Sequence, residues 1–219
     1  MTRSGIQSAF VIVSFLAASR LLTAQQSPVD LAQALQRKID SVSDFQAAFT
    51  QVTESGVLGR KHTERGQVAI KKPGKMRWDY ENPEKKLFIS DGRQVYLYTP
   101  RDKQVTVSDV PSGDSTPTPF LFLAGRGNLT RDFTPSTATA PAGLPAGTVA
   151  LKLTPKQAQP DYEWLVVGID ASNHSLRGLM FRDAQGATQT FTFTNLKENV
   201  NPQESQFVFN IPKGVEVVR

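Results

Sequence analysis

The chain has 219 residues, 39% hydrophobic and 21% charged, the balance of a globular body with room for one large domain or two small ones. It has no cysteine, which excludes disulfides, thiolate metal sites, a cysteine nucleophile and lipid attachment to an N-terminal cysteine. Two histidines, His62 and His174, leave little material for metal cages or general-base arrangements, and the formal charge of +5 comes without a Lys/Arg cluster, which argues against a nucleic-acid partner.

The first 24 residues read as a secretory signal peptide. Arg3 supplies the positive start, residues 6–18 (IQSAFVIVSFLAA) the apolar stretch, and small residues follow. That stretch is short of the roughly 20 residues a membrane-spanning helix needs. Cleavage after Ser19 or Ala24 fits, with Ala24 preferred. Removing Arg3 and Arg20 from the 25 basic residues leaves 23 against 20 acidic ones, a net charge of +3. Residues 25–219 are then one domain.

Ser27-Pro28-Val29-Asp30 opens a helix, with a serine cap, a proline in the first turn and an acid at the positive end of the dipole. Leu31, Leu35, Ile39 and Val42 give it one apolar face. From Phe45 the period changes to two, and strands are expected at roughly 45–53, 66–72, 75–81, 86–90, 94–98, 103–108, 149–154, 162–169, 176–182, 188–196 and 206–210. Pro73-Gly74, Asn82-Pro83, Asp91-Gly92 and Gln185-Gly186 mark turns between them, and such close spacing implies antiparallel hairpins. The chain is mainly β with some α.

Residues 109–148 interrupt this pattern with six prolines. In their middle, Pro119-Phe120-Leu121-Phe122-Leu123-Ala124-Gly125 reads as a two-turn apolar helix with a glycine stop. Residues 134–148 carry no charge and read as a mobile surface loop. Asn201-Pro202-Gln203-Glu204 reads as one more helical turn before the last strand.

Alternation assigns the strand faces. Val68, Ile70 and Lys72 share a side, as do Met76, Trp78 and Tyr80; Phe191 and Phe193 face one way with threonines opposite. Large inward residues of this kind either pack into a core or line a cavity. In the second case residues 120–123 are the natural cover, because so apolar a segment must bury itself. Lys72 is either a strand-end lysine that snorkels to water or a cation at the cavity mouth. No Gly-x-Ser-x-Gly, P-loop, His-Glu-x-x-His or EF-hand pattern is present. The pairs Asp79/Glu81 and Asp161/Glu163 suit solubility better than acid–base work, so no enzyme is expected, and no cofactor or metal.

Several segments together resemble the outer-membrane lipoprotein carrier (LolA) family. They are residues 44–51 (DFQAAFTQ), 66–78 (GQVAIKKPGKMRW), 89–98 (ISDGRQVYLY), 118–124 (TPFLFLA), 153–156 (LTPK) and 207–215 (FVFNIPKGV). The resemblance covers nearly the whole chain after the leader. It implies an incomplete antiparallel β-barrel of about 11 strands with a short helical lid over an apolar cavity. It also implies a periplasmic carrier that takes acylated lipoproteins from a LolCDE-type inner-membrane ABC transporter to a LolB-type outer-membrane receptor, with the chain expected as a monomer. Phe120, Leu121, Phe122 and Leu123 would form the lid, and Val68, Ile70, Met76, Trp78, Phe191 and Phe193 would line the lipid site. Lys72 stands where the family has an arginine that grips lid carbonyls, and lacks its planar fork. Met76 replaces a family aromatic and suits a pliable lipid site. Alternatives of the same fold are a carrier of hopanoids, glycolipids or aryl-polyene-type lipids, and a periplasmic lipid-sensing domain. A LolB-like receptor would normally need an anchoring cysteine.

Overall fold

A computed structural model describes residues 26–55, 59–110, 122–125 and 127–219. The expected signal peptide and the lid positions Phe120 and Leu121 lie outside the described residues.

Helix α1 (Pro28–Ser41) starts as its sequence dictates: the Ser27 side chain accepts from the Asp30 amide at 3.1 Å, and Pro28 stands in the first turn. Leu31, Ala32, Ala34 and Leu35 are buried. Twelve strands follow: β1 (Asp44–Glu54), β2 (Lys61–Lys71), β3 (Lys75–Asn82), β4 (Lys86–Asp91), β5 (Gln94–Thr99), β6 (Gln104–Asp109), β7 (Phe133–Ala138), β8 (Thr148–Pro155), β9 (Tyr162–Asp170), β10 (Leu176–Asp183), β11 (Thr188–Glu198) and β12 (Glu216–Val218). A single-turn helix α2 (Leu129–Asp132) precedes β7. The Asn128 side chain caps it, accepting from the Thr130 and Arg131 amides.

The strands form one sheet in the order β12-β6-β5-β4-β3-β2-β1-β11-β10-β9-β8-β7. All neighbours are antiparallel except β12, which runs parallel to β6. The sheet is open, so the expected incomplete barrel stands, with twelve strands among the described residues in place of about eleven. Both edges are blunted: β7 carries Pro135, and β12 is three residues long.

One core cluster covers the inner face of β1, β2, β3, β8, β9, β10 and β11. Helices α1 and α2 close it on the β7–β8 side. The outer face has a second apolar layer. Ile89, Tyr96 and Val107 stand in register on β4, β5 and β6. Phe209 lies over this region, with its ring 5.5 Å from those of Tyr96 and of Tyr98.

Three expectations are corrected. Residues 206–210 form no strand: Glu204–Phe207 is a 3-10 turn, and the chain then crosses the outer face to reach the far edge as β12. This crossing is why β12 pairs in parallel, since a hairpin partner must be antiparallel. The helical turn expected at 201–204 begins at Glu204 instead. The loop expected over 134–148 contains β7 and the start of β8, and its remainder is pinned. Leu144 sits over Gly168 and Gly178, register partners on β9 and β10, where a β-carbon on either glycine would collide with it.

Candidate functional site

The inner face changes character along the strands. At one end lie Phe45 on β1, Lys72 after β2, and Leu196 and Glu198 on β11. In the middle, Phe49, Trp78, Phe191 and Phe193 pack as an aromatic layer. The Phe49–Trp78 and Trp78–Phe191 ring centroids lie 5.0 and 5.4 Å apart, edge to face. At the other end the face turns polar, at Gln51, Glu64, Tyr80 and Gln189.

A cavity opens at the first end. Its walls are Leu35, Lys38, Ile39 and Val42 of α1 and its cap, with Phe45, Lys72, Phe122, Leu123, His174, Leu176, Leu196 and Glu198. Apart from a rim made of Lys38, Lys72, His174 and Glu198, the lining is apolar. Lys38 and Glu198 pair across the rim at 2.6 Å. The free volume is about 40 Å³, room for a few water molecules.

Phe122 and Leu123 are helical and seated in this cavity, 4% and 6% exposed. The helix stops where the sequence places its glycine: the Gly125 amide donates to the Phe122 carbonyl at 3.1 Å, with Gly125 at φ +77°. This end is tied to the β2–β3 turn by one backbone bond, from the Gly74 amide to the Ala124 carbonyl at 3.1 Å. The Lys72 stem lies against Gly125 so closely that a β-carbon there would meet Lys72 Cδ at 2.7 Å. The Lys72 ammonium donates to the carbonyl of Ile39, near the C-terminus of α1, which also accepts from the Val42 amide. That is the negative end of the helix dipole. Burial lowers the Lys72 pKa below the ordinary lysine value, opposed in part by the nearby Asp40 carboxylate.

Lys72, Phe122 and Leu123 thus meet at the cavity. Val68, Ile70, Met76, Trp78, Phe191 and Phe193 are all at most 2% exposed and belong to the same cluster, but they form the packed floor beneath the open space. Sequence reasoning missed the contribution of α1 to the walls. Its signal was present in Leu35, Ile39 and Val42, which continue the helix's apolar face. The polar end was also missed. Its signal is the alternation Phe45, Ala47, Phe49, Gln51, which carries a glutamine onto the inner face. The Tyr80 hydroxyl donates to Gln51 Oε1 at 2.8 Å, and Gln51 Nε2 donates to Gln189 Oε1 at 3.0 Å. Burial, then the Glu64 charge, push the Tyr80 pKa far above the ordinary phenol value.

Among the described residues no cluster of three or more potential metal ligands occurs, and no helix is long and apolar enough to cross a membrane. A solved structure of an uncharacterized conserved protein from Thermus thermophilus superposes with a TM-score of 0.51, covering 86% of this chain and 96% of that one. At 15% identity this likeness concerns the fold. An outer-membrane lipoprotein carrier protein from Chromohalobacter salexigens is 31% identical, over 86% of each chain. Another, from Cupriavidus necator, is 31% identical over 95% of this chain and 98% of its own. The profile of the outer membrane lipoprotein carrier protein LolA family matches residues 40–210. With most of its length matched, and with the open sheet and apolar inner face that its sequence implies, the chain belongs to the LolA family.

Proposed function

We propose that this protein shields the acyl chains of lipoproteins released from the inner membrane and delivers them across the periplasm to an outer-membrane receptor. The observation that carries this reading is the cavity at the end of an apolar face, occupied by the protein's own Phe122 and Leu123 and closed by few polar ties. The leader-like first 24 residues support export, and the family's printed description supports lipoprotein cargo. A LolCDE-type transporter as donor and a LolB-type receptor as acceptor complete the reading.

The energetics suit a carrier. Each buried methylene is worth about 0.8 kcal/mol, so one sixteen-carbon chain represents on the order of 10 kcal/mol of shielding. Burying Phe122 and Leu123 in the same place is worth roughly 3–6 kcal/mol together. Cargo therefore wins the site, but a large part of its gain goes into displacing the lid, and the net affinity stays low enough for hand-off. A free volume of about 40 Å³ holds no acyl chain, so loading this cavity requires the lid to move outward. The Lys38–Glu198 pair and His174 stand at the rim, where a lipoprotein's polar backbone would emerge.

The test is release of triacylated lipoprotein from spheroplasts by purified protein. The wild type is expected to release it, and the double variant Phe122→Glu/Leu123→Glu to lose at least nine-tenths of that release while remaining folded by circular dichroism. Undiminished release by the folded double variant removes these residues from the binding role. Mass spectrometry of lipids copurifying from the periplasm separates lipoprotein from other lipid cargo.

A further inference from the structure

The polar end of the inner face is a built structure. Five strands converge on it. Gln51 from β1 is 7% exposed and is bonded to Tyr80 of β3 and Gln189 of β11. Glu64 from β2 is also 7% exposed and pairs with Lys86 of β4 at 2.6 Å. The Lys86 ammonium lies 4.5 Å over the Tyr80 ring, which joins the two halves. The aromatic layer adjoins it: Phe49 packs edge to face on Tyr80 and on Trp78, and Phe191 stands opposite Gln51 in the β1–β11 register. Gln51 follows Phe49 by two residues on β1, and Gln189 precedes Phe191 by two on β11, so each polar group is the next inward residue of its strand.

We infer that the Gln51–Tyr80–Gln189 and Glu64–Lys86 network is a floor that sets the length of acyl chain the protein accepts. The inference rests on the carrier reading and deepens it. An acyl tail that enters beside Phe45 and displaces the aromatic rings exchanges one apolar contact for another. Past the floor, each further methylene must break part-buried hydrogen bonds or crowd the buried Glu64 carboxylate and its Lys86 partner, and apolar carbon offers those groups nothing in exchange. From Phe45 to Gln51 is six residues, about 20 Å of strand at roughly 3.4 Å each. An extended hydrocarbon chain advances about 1.3 Å per carbon from its bond geometry, so that depth accommodates about sixteen carbons.

The experiment is competition by synthetic diacylglyceryl-cysteine peptides, with uniform saturated chains of ten to twenty carbons, against a fluorescent acyl probe on the full protein. For the wild type, affinity is expected to climb by up to about fourfold per added methylene, then to stop rising near sixteen carbons per chain. Gln51→Leu/Tyr80→Phe, which removes the upper network, is expected to carry the rise on to twenty. Phe49→Gln, which lifts the polar level by two residues, is expected to bring the break down by about five carbons. The wild-type profile needs no variant to fold. Affinity that rises without a break to twenty carbons overturns the floor and leaves carriage standing, as does a break that stays in place in folded variants. Absence of competition at every chain length overturns the carrier reading itself, and the floor with it.

Discussion

Lys72 joins three parts of the molecule through one side chain. Its backbone amide donates to the Ser43 carbonyl, its stem lies against Gly125, and its ammonium donates to Ile39 at the end of α1. An arginine there could reach several carbonyls with a planar fork, whereas an ammonium on a flexible stem serves as a point donor. A charged hydrogen bond of this kind, half shielded from water, is worth about 1–2 kcal/mol. Lys72→Met keeps the stem and removes the bond, so the unloaded state loses that much relative to the loaded one. Lipoprotein affinity is expected to rise about tenfold and transfer to an outer-membrane acceptor to slow correspondingly, while Lys72→Arg, with its planar fork, is expected to hold affinity at or below the wild-type level. Unchanged retention of cargo by Lys72→Met would place the latch elsewhere. The inward direction of Lys72 was legible from alternation with Val68 and Ile70. Its partner was not, because Ile39 lies on a helix whose path over the sheet no local pattern specifies.

At the scale of elements, legibility followed local chemistry. Helix α1 announced itself through Ser27, Pro28 and Asp30, and the hairpins through their Pro-Gly and Asp-Gly turns. Strand β7 was hidden because an edge strand with Pro135 and polar neighbours has no apolar alternation to read. Phe207 and Phe209 mimicked a strand by their spacing, yet they pack on the outer face as part of a crossing segment. That crossing is fastened by Glu204, which accepts from Lys71 at 2.9 Å and from Lys75, and by Arg77, which donates to the Gln206 carbonyl at 3.2 Å. The hydrogen bonds from Lys75 and then Lys71 hold the Glu204 carboxyl down to about 2. A carboxylate whose folded pKa is depressed stabilises the fold above its unfolded value and ceases to do so as pH falls through the folded one. The melting-temperature gap between wild type and Glu204→Gln is therefore expected to be widest above pH 4.5 and to close as pH approaches about 2. A gap that persists at the acid end would mean that Glu204 acts by packing rather than by charge.

At the scale of the whole molecule, the arrangement is a single open sheet whose inner face is graded along the strands. The rim is charged, the cavity and aromatic layer are apolar, and the far end is polar. The apolar middle was legible as Val68, Ile70, Met76, Trp78, Phe191 and Phe193 because each strand alternates. That these residues pack against one another under a small cavity was not, since the sequence is compatible with either a filled or a hollow interior. A filled interior and a carrier role are compatible when part of the filling can leave, which is the role proposed for Phe122 and Leu123. On this reading, acyl chains lie on this inner face and nowhere else. Replacing Phe193 on the inner face, or Thr192 on the outer face beside it, with a photo-crosslinking benzoylphenylalanine tests it most directly, by mass spectrometry of protein loaded with triacylated lipoprotein. Adducts on the acyl chains from position 193 and none from 192 are the expected result; equal labelling from both, or labelling from 192 alone, would place the acyl chains off the inner face.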